Sequence, residues 1–330
     1  MSQIDFLAVG DIVTEPFIKL KDATVHCKID NEQCEICMRF GDKIPYDFAV
    51  LCRAVGNASN AAVAAARLGL SSALRAYVGD DDYGIENLKV LKGEGVSTEF
   101  MVTEAGKSSN YHYVLWYEND RTILVKHEEY TYTAPLLTES PKWLYLSSLA
   151  DHSLPYHQAL ESLLHEHPET KLAFQPGTFQ MKLGVEALKG LYERSELFVC
   201  NKEEAARILG IESTDVKELM TKLHTLGPKI VIVTDNTNGA YASDGTTQWH
   251  VPMYPDTREA YERTGAGDAF ASTLVAALAL GKSLEEALMW APINSMAVVQ
   301  EVGAQKGLLT REALEKYLAE APESYKLETI

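Results

Sequence analysis

From residue 135 onward, short apolar runs alternate with longer segments of helical pattern. The runs at 143–146, 171–174, 197–200 and 230–234 are too short for helices and read as buried strands. Residues 154–165, 202–209, 213–226 and a long segment from about 268 read as helices. Strands that alternate with helices are expected to lie parallel in one sheet covered on both faces, since each crossover helix must bury its apolar stripe against that sheet. The start of the chain joins the same pattern, with an apolar run at 4–9 closed by Gly10, an alanine-rich helix at 55–68 and a strand at 72–78. Two stretches break it. Residues 24–29 and 34–40 alternate about a polar turn at 30–33, and residues 109–132 do so about Glu118-Asn119-Asp120, with a return strand at 121–126. The expected class is α/β, a three-layer core with a mostly parallel central sheet. That core draws on 1–12, 50–104 and 134–330, and the insertions 13–49 and 105–133 form a small β lid.

The 330 residues carry 30 Lys and Arg against 47 Asp and Glu, a net charge of −17. A phosphate-backbone binder needs a cationic surface, so nucleic acid is excluded as a partner. No run approaches the roughly 18 apolar residues of a membrane span, so no membrane partner is expected. The opening residues lack the basic segment and cleavage site of a signal peptide, and a cytoplasmic location is expected. Five cysteines are too few, and odd in number, for a disulfide framework. Cys34-Glu-Ile-Cys37, close to His26-Cys27, has the spacing of half a zinc site. The stretch alternates like a strand, which turns positions i and i+3 to opposite faces, so packing is the expected role.

The chemistry concentrates in Glu262-Arg263-Thr264-Gly265-Ala266-Gly267-Asp268-Ala269-Phe270, which runs directly into an apolar helix. A glycine-rich turn entering a helix exposes backbone N–H groups at the positive end of the helix dipole, an anion hole. A carboxylate there would repel a phosphate unless a substrate hydroxyl sits between them and yields its proton as it attacks. The alternative is a tight turn with Asp268 as a cap. Asn201-Lys-Glu-Glu204 opens another helix with an amide and a carboxylate, suited to water-mediated Mg²⁺ and equally to capping. Thr234, Asn236 and Gly239 form a strand-ending turn, Gly56-Asn57-Ala58-Ser59-Asn60 opens a third helix, and Asp11 follows the first strand. In an open α/β sheet these strand ends converge on one crevice.

Together these segments resemble the ribokinase-like (PfkB) family of carbohydrate and nucleoside kinases. Its second signature, Asp-Thr-x-Gly-Ala-Gly-Asp-x-Phe, is matched by Glu262 to Phe270. Its first, a Gly-Gly-x-x-x-Asn helix start with later glycines, is matched by Val55 to Asn60, Gly69 and Gly79, and its Asn-x-x-Glu by Asn201 to Glu204. The resemblance implies an ATP- and Mg²⁺-dependent kinase acting on a sugar or sugar-containing small molecule. Asp268 would be the catalytic base, with Gly265, Ala266 and Gly267 forming the hole for the transferring phosphoryl group. Asn201 and Glu204 would organise Mg²⁺ and phosphates, Glu204 through water. Thr234, Asn236 and Gly239 would contact the nucleotide, and Gly56, Asn57 and Asn60 the acceptor. It also implies a lid that closes over the acceptor and pairs two copies into a homodimer. A nucleoside kinase is the alternative within the family, and a catalytically inactive sugar or nucleotide sensor the alternative outside catalysis.

Several positions depart from the family pattern. The leading Asp-Thr is Glu262-Arg263. Relatives bind a monovalent cation such as K⁺ through carbonyls of this loop and of the one near Gly303, and the charge on Arg263 weighs against one here. The strand-one acid has two candidates, Asp11 and Glu15. Asn236 stands where glycine is usual, and asparagine tolerates positive φ. Among the remaining features, Gly281-Lys282-Ser283 ends a helix and is no phosphate loop. Asp80-Asp81-Asp82 reads as a solvated turn, and His112 and His127 as exposed strand histidines. Tyr111, Tyr113, Tyr117, Tyr130 and Tyr132 suit base stacking, lid packing or a dimer interface alike.

Overall fold

The computed structural model describes residues 3–29, 32–118 and 120–330. Asp30, Asn31 and Asn119, in the two expected hairpin turns, lie outside the described residues. A nine-stranded sheet forms the centre, in the order Glu328–Thr329, Gln248–Val251, Ala240–Ser243, Ile230–Thr234, Ser195–Asn201, Lys171–Phe174, Trp143–Leu146, Phe6–Val9 and Ser72–Arg75. The last six run parallel, and the first three join antiparallel at one edge. Alternation along the strands separates two cores. Phe6, Ala8 and Tyr145 face the helices Asn57–Arg67, Ala266–Ala279 and Leu284–Val298, while Leu7, Val9, Leu144 and Leu146 face Leu154–Glu166, Lys202–Leu209 and Val216–His224. The fold is therefore a three-layer α/β sandwich, as the alternation of runs and helices required.

Phe6–Val9 pairs with Ser72–Arg75 on one side and with Trp143–Leu146 on the other, so the strand order reverses there. At such a switch point the crossovers leave to opposite faces and open a crevice beyond the carboxyl ends of the strands. The expected strand at 72–78 is divided. Ser72–Arg75 stays in the central sheet, and Tyr77–Gly79 pairs instead with Val102–Glu104.

A second sheet stands apart, in the order Asp120–Leu124, Tyr113–Tyr117, Val13–Leu20, Tyr46–Val55. A hairpin of Thr24–Ile29 and Glu32–Cys37 extends the first insertion. There the reading of the cysteines needs correction. Cys27 lies directly opposite Cys34 in the antiparallel register, and the two form a disulfide. They stand seven positions apart in sequence, and the antiparallel pairing of the two strands brings them face to face.

Candidate active site

Two helix starts meet in the crevice. Asn57 is the first residue of Asn57–Arg67 and Asn60 lies one turn on, a spacing that places both amides on one face. Asp268 sits in the first turn of Ala266–Ala279. Asn57 Nδ2 donates to Asp268 Oδ1 at 2.7 Å, and Asn60 Nδ2 donates to Oδ2 at 2.9 Å. The Gln175 amide adds a further bond, while its carbonyl oxygen accepts from Tyr145. Burial, and after it the charge of Glu15, pushes the Asp268 carboxyl above the ordinary carboxylate range, and the amides of Asn60, Asn57 and Gln175 oppose that rise.

The turn before Asp268 is built for close approach. Gly265 has φ of 84°, and a Cβ there would lie 2.4 Å from the Ala304 Cβ, so glycine is required twice over. Ala269 N–H already bonds to the Gly265 carbonyl, which leaves the N–H groups of the first turn to face the crevice. A Cβ on Gly267 would meet nothing within 4 Å, so that stretch of backbone borders open space. The departure at Glu262 is structural. Its carboxylate is buried, accepts from the Thr264 N–H at 2.8 Å and from the Thr264 hydroxyl, and lies 3.8 Å from the guanidinium of Arg121 on the small sheet. Arg263 is exposed.

At the end of the strand Ser195–Asn201, Asn201 and Glu204 form a reciprocal capping box. Asn201 Oδ1 accepts from Glu204 N at 2.8 Å, and Glu204 Oε2 accepts from Asn201 N at 2.9 Å. Burial raises the Glu204 carboxyl, with a smaller contribution from the charge of Asp268, so the two carboxylates feel one another across the crevice. Thr234 pairs with Asn201 in the sheet. Asn236 adopts φ of 47°, the conformation that its place in the turn called for. Lys202 Nζ lies 3.2 Å from Asp235 Oδ2 and ties the helix start to that turn.

Asp11 and Glu15 are both buried near the end of the first strand. The Asp11 carbonyl would lie 2.7 Å from a Cβ on Gly56, whose φ is 111°, so Asp11 packs directly against the start of the Asn57 helix. Two expectations fail here. His112 and His127 are not exposed strand histidines: His112 Nδ1 lies 3.3 Å from Glu15 Oε1, and His127 Nδ1 lies 3.1 Å from Asp11 Oδ2. His112 is buried and His127 half-buried, each through contact with a residue far away in sequence. Nor is Asp80-Asp81-Asp82 merely solvated, since Asp81 caps the helix Asp82–Gly93 and accepts from Ser109 N and its hydroxyl. Tyr111 and Tyr113 cluster with Tyr83, whereas Tyr132 donates to Asp11 Oδ1 at 2.7 Å.

Residues 22–311 match the model of the pfkB family of carbohydrate kinases. The chain belongs to that family. It is 30% identical over 271 residues to a ribokinase of Bacillus subtilis, covering 80% of this chain and 87% of the relative. Its fold is similar to the nucleoside kinase of Methanocaldococcus jannaschii, with a TM-score of 0.77, 16% identity and coverage of 97% and 100% of the two chains. It is also similar to an Arabidopsis thaliana ribokinase solved with ribose and ATP, with a TM-score of 0.75, 18% identity and coverage of 96% and 99%. The protein is thus a phosphotransferase of the carbohydrate and nucleoside kinase class.

In this kinase several crevice residues escaped motif reading. Gln305 Nε2 donates to Asn60 Oδ1 at 3.0 Å and to the Ala54 carbonyl at 2.7 Å, so it fixes the amide that holds Asp268. Gln175, Lys202, Arg121 and the two histidines meet partners far away in sequence. Their one local signal was position: Gln175 and Lys202 directly follow strands that end at the crevice.

Proposed function

We propose that this kinase transfers the γ-phosphoryl group of ATP to a hydroxyl of a sugar or sugar-containing small molecule, with Asp268 as general base. The observation that carries this reading is the Asp268 carboxylate, held on both oxygens by amides and set beside unpaired N–H groups at a helix start. A mere cap would need neither a carboxylate raised by burial nor two carboxamides to orient it. An acceptor hydroxyl placed between Asp268 and the γ-phosphate would lose its proton to Asp268, and the Gly265–Asp268 amides would hold the transferring group. Asp268→Asn is expected to lower turnover by about 10²-fold or more while leaving ATP binding near normal. Turnover unchanged in that variant, with ATP consumption and acceptor phosphorylation measured together, would refute the assignment.

Asn201 and Glu204 fit water-mediated Mg²⁺. Capping uses Glu204 Oε2, so its other oxygen can receive a coordinated water, and a cation relieves the mutual repulsion of Glu204 and Asp268. When bound, Mg²⁺ would neutralise charge on the nucleotide phosphates. The sugar reading is favoured over the nucleoside one because Tyr111 and Tyr113 pack with Tyr83 and not around Asp268. The small sheet would serve as the lid, and its exposed Tyr113, Leu124 and Leu51 would receive a second copy of the chain.

A further inference from the structure

His112 is 8% exposed, yet its Nε2 is buried with no hydrogen-bond partner. Leaving a buried polar atom unpaired is costly, so this nitrogen is built to meet a group that the protein does not supply. The chemistry of that group follows from the other ring nitrogen. Nδ1 faces the Glu15 carboxylate, which can only accept, so Nδ1 donates there and Nε2 is left for a hydroxyl group, which can both donate and accept. His127 repeats the Nδ1–carboxylate contact on Asp11. Both oxygens of Asp11 are already engaged, one by His127 and one by the Tyr132 hydroxyl. The imidazole edges, more than the Asp11 carboxylate, are thus left to address a ligand.

The two rings lie 5.1 Å apart between centroids and close a circuit around the crevice. Asp268 binds Asn57, Gly56 beside it packs on Asp11, Asp11 binds His127, His112 binds Glu15, and the charge of Glu15 reaches Asp268. Asn110 braces both histidine segments, with its Nδ2 donating to the Ile12 carbonyl and its Oδ1 accepting from Glu128 N. None of the side chains in that circuit is a lysine or arginine. Lys19 lies over the Trp116 ring and donates to the Glu118 carbonyl. Arg53 follows Cys52, the partner of Glu15 in the sheet; its Nε is buried without a hydrogen-bond partner and its charge acts on Tyr111.

We propose that His112 and His127 are specificity-determining residues whose ring nitrogens hydrogen-bond hydroxyl groups of an uncharged polyhydroxyl acceptor. The circuit of carboxylates excludes acceptors already phosphorylated. This inference rests on the kinase reading above.

The test is steady-state kinetics of the full chain with ATP and a panel of D-ribose, D-fructose, cytidine, ribose 5-phosphate, fructose 6-phosphate and monodeoxy sugars. If no compound is phosphorylated, the kinase reading itself fails and this proposal falls with it. If phosphorylation occurs, an uncharged sugar is expected to be preferred over its phosphate ester. One deoxy analogue should show an acceptor KM raised about tenfold, the scale of one lost hydrogen bond. His112→Ala should raise the parent acceptor's KM by a similar factor, leave the ATP KM unchanged and abolish the difference between parent and deoxy compound. His127→Ala should do the same for a different hydroxyl. The deoxy series on the unaltered protein needs no variant to fold. Preference for a sugar phosphate, acceptor KM values indifferent to both substitutions, or deoxy penalties undiminished in both variants would overturn the proposal while leaving the kinase reading intact.

Discussion

Asp268 is a carboxylate that its surroundings make harder to ionise and then steady once it is ionised. Burial raises its pKa, whereas Asn57, Asn60 and Gln175 donate to the anion. A general base works only when deprotonated, so kcat/KM is expected to fall on the acid side at a pH above the ordinary range for Asp, about 3.9. A pH profile measures this, and an acid limb at or below that value would contradict it. Glu204 is raised for the same first reason, so the limb should persist in Glu204→Gln if it belongs to Asp268. Linkage runs in the same sense: a raised folded-state pKa means that ionisation costs stability as pH rises from the unfolded towards the folded value. Gln305→Ala would remove a buried donor from Asn60 Oδ1 and from the Ala54 carbonyl, which keeps the Ser59 hydroxyl. It should cost about 1–3 kcal/mol of stability in urea unfolding, and reduce turnover as well by loosening Asn60. Asn57 and Asn60 were legible in the sequence because their spacing is local to one helix. Gln305 was not, since 245 residues separate it from the amide that it orients.

Helix starts carry the site's geometry, and their signals are short-range. Asn201 caps Lys202–Leu209 with Glu204 three residues on, a pattern that both the sequence and the structure present. The same residues were read as organisers of Mg²⁺, and the two roles can be separated. Asn201→Ala should destabilise the protein by about 1 kcal/mol with or without nucleotide, as loss of a cap does. Glu204→Gln retains an oxygen that can accept from Asn201 N but removes the charge. It should leave the melting temperature nearly unchanged and raise the Mg²⁺ concentration needed for half-maximal activity several-fold. Equal Mg²⁺ demand in the two proteins would confine Glu204 to capping. The strands Trp143–Leu146, Lys171–Phe174 and Ile230–Thr234 coincide with the short runs that announced them, because strands buried on both faces are apolar along their interior positions. The strand expected at 72–78 divided because its two halves find partners in different sheets, and pairing is not a local property.

Across the whole molecule, the small sheet leaves Tyr113 46% and Leu124 52% exposed beside Tyr83 and Leu51. If a second copy covers that face, Tyr113→Glu should convert a dimer to a monomer in light scattering, and a wild-type monomer at high concentration would refute the pairing. The thiols give an independent check on the fold. The Cys52 thiol is pushed up to about 11 by burial first and then by the charges of Glu15 and Glu262, and burial raises Cys200 well above its usual range. Cys37 is half-buried. N-ethylmaleimide at neutral pH should therefore modify Cys37 well before Cys52 or Cys200 in the native protein, as peptide mapping would show.

The amino-acid sequence by itself determined the alternation of strands and helices, the capped helix starts and the glycine turn before Asp268, because apolar period, capping and backbone freedom act over a few neighbouring residues. Tertiary structure alone decided which distant groups meet there. It set Gln305 behind Asn60, Arg121 beside Glu262, and the two histidines on Asp11 and Glu15. Each of those pairings depends on sheet order and register, which emerge only when the whole chain buries its apolar faces together.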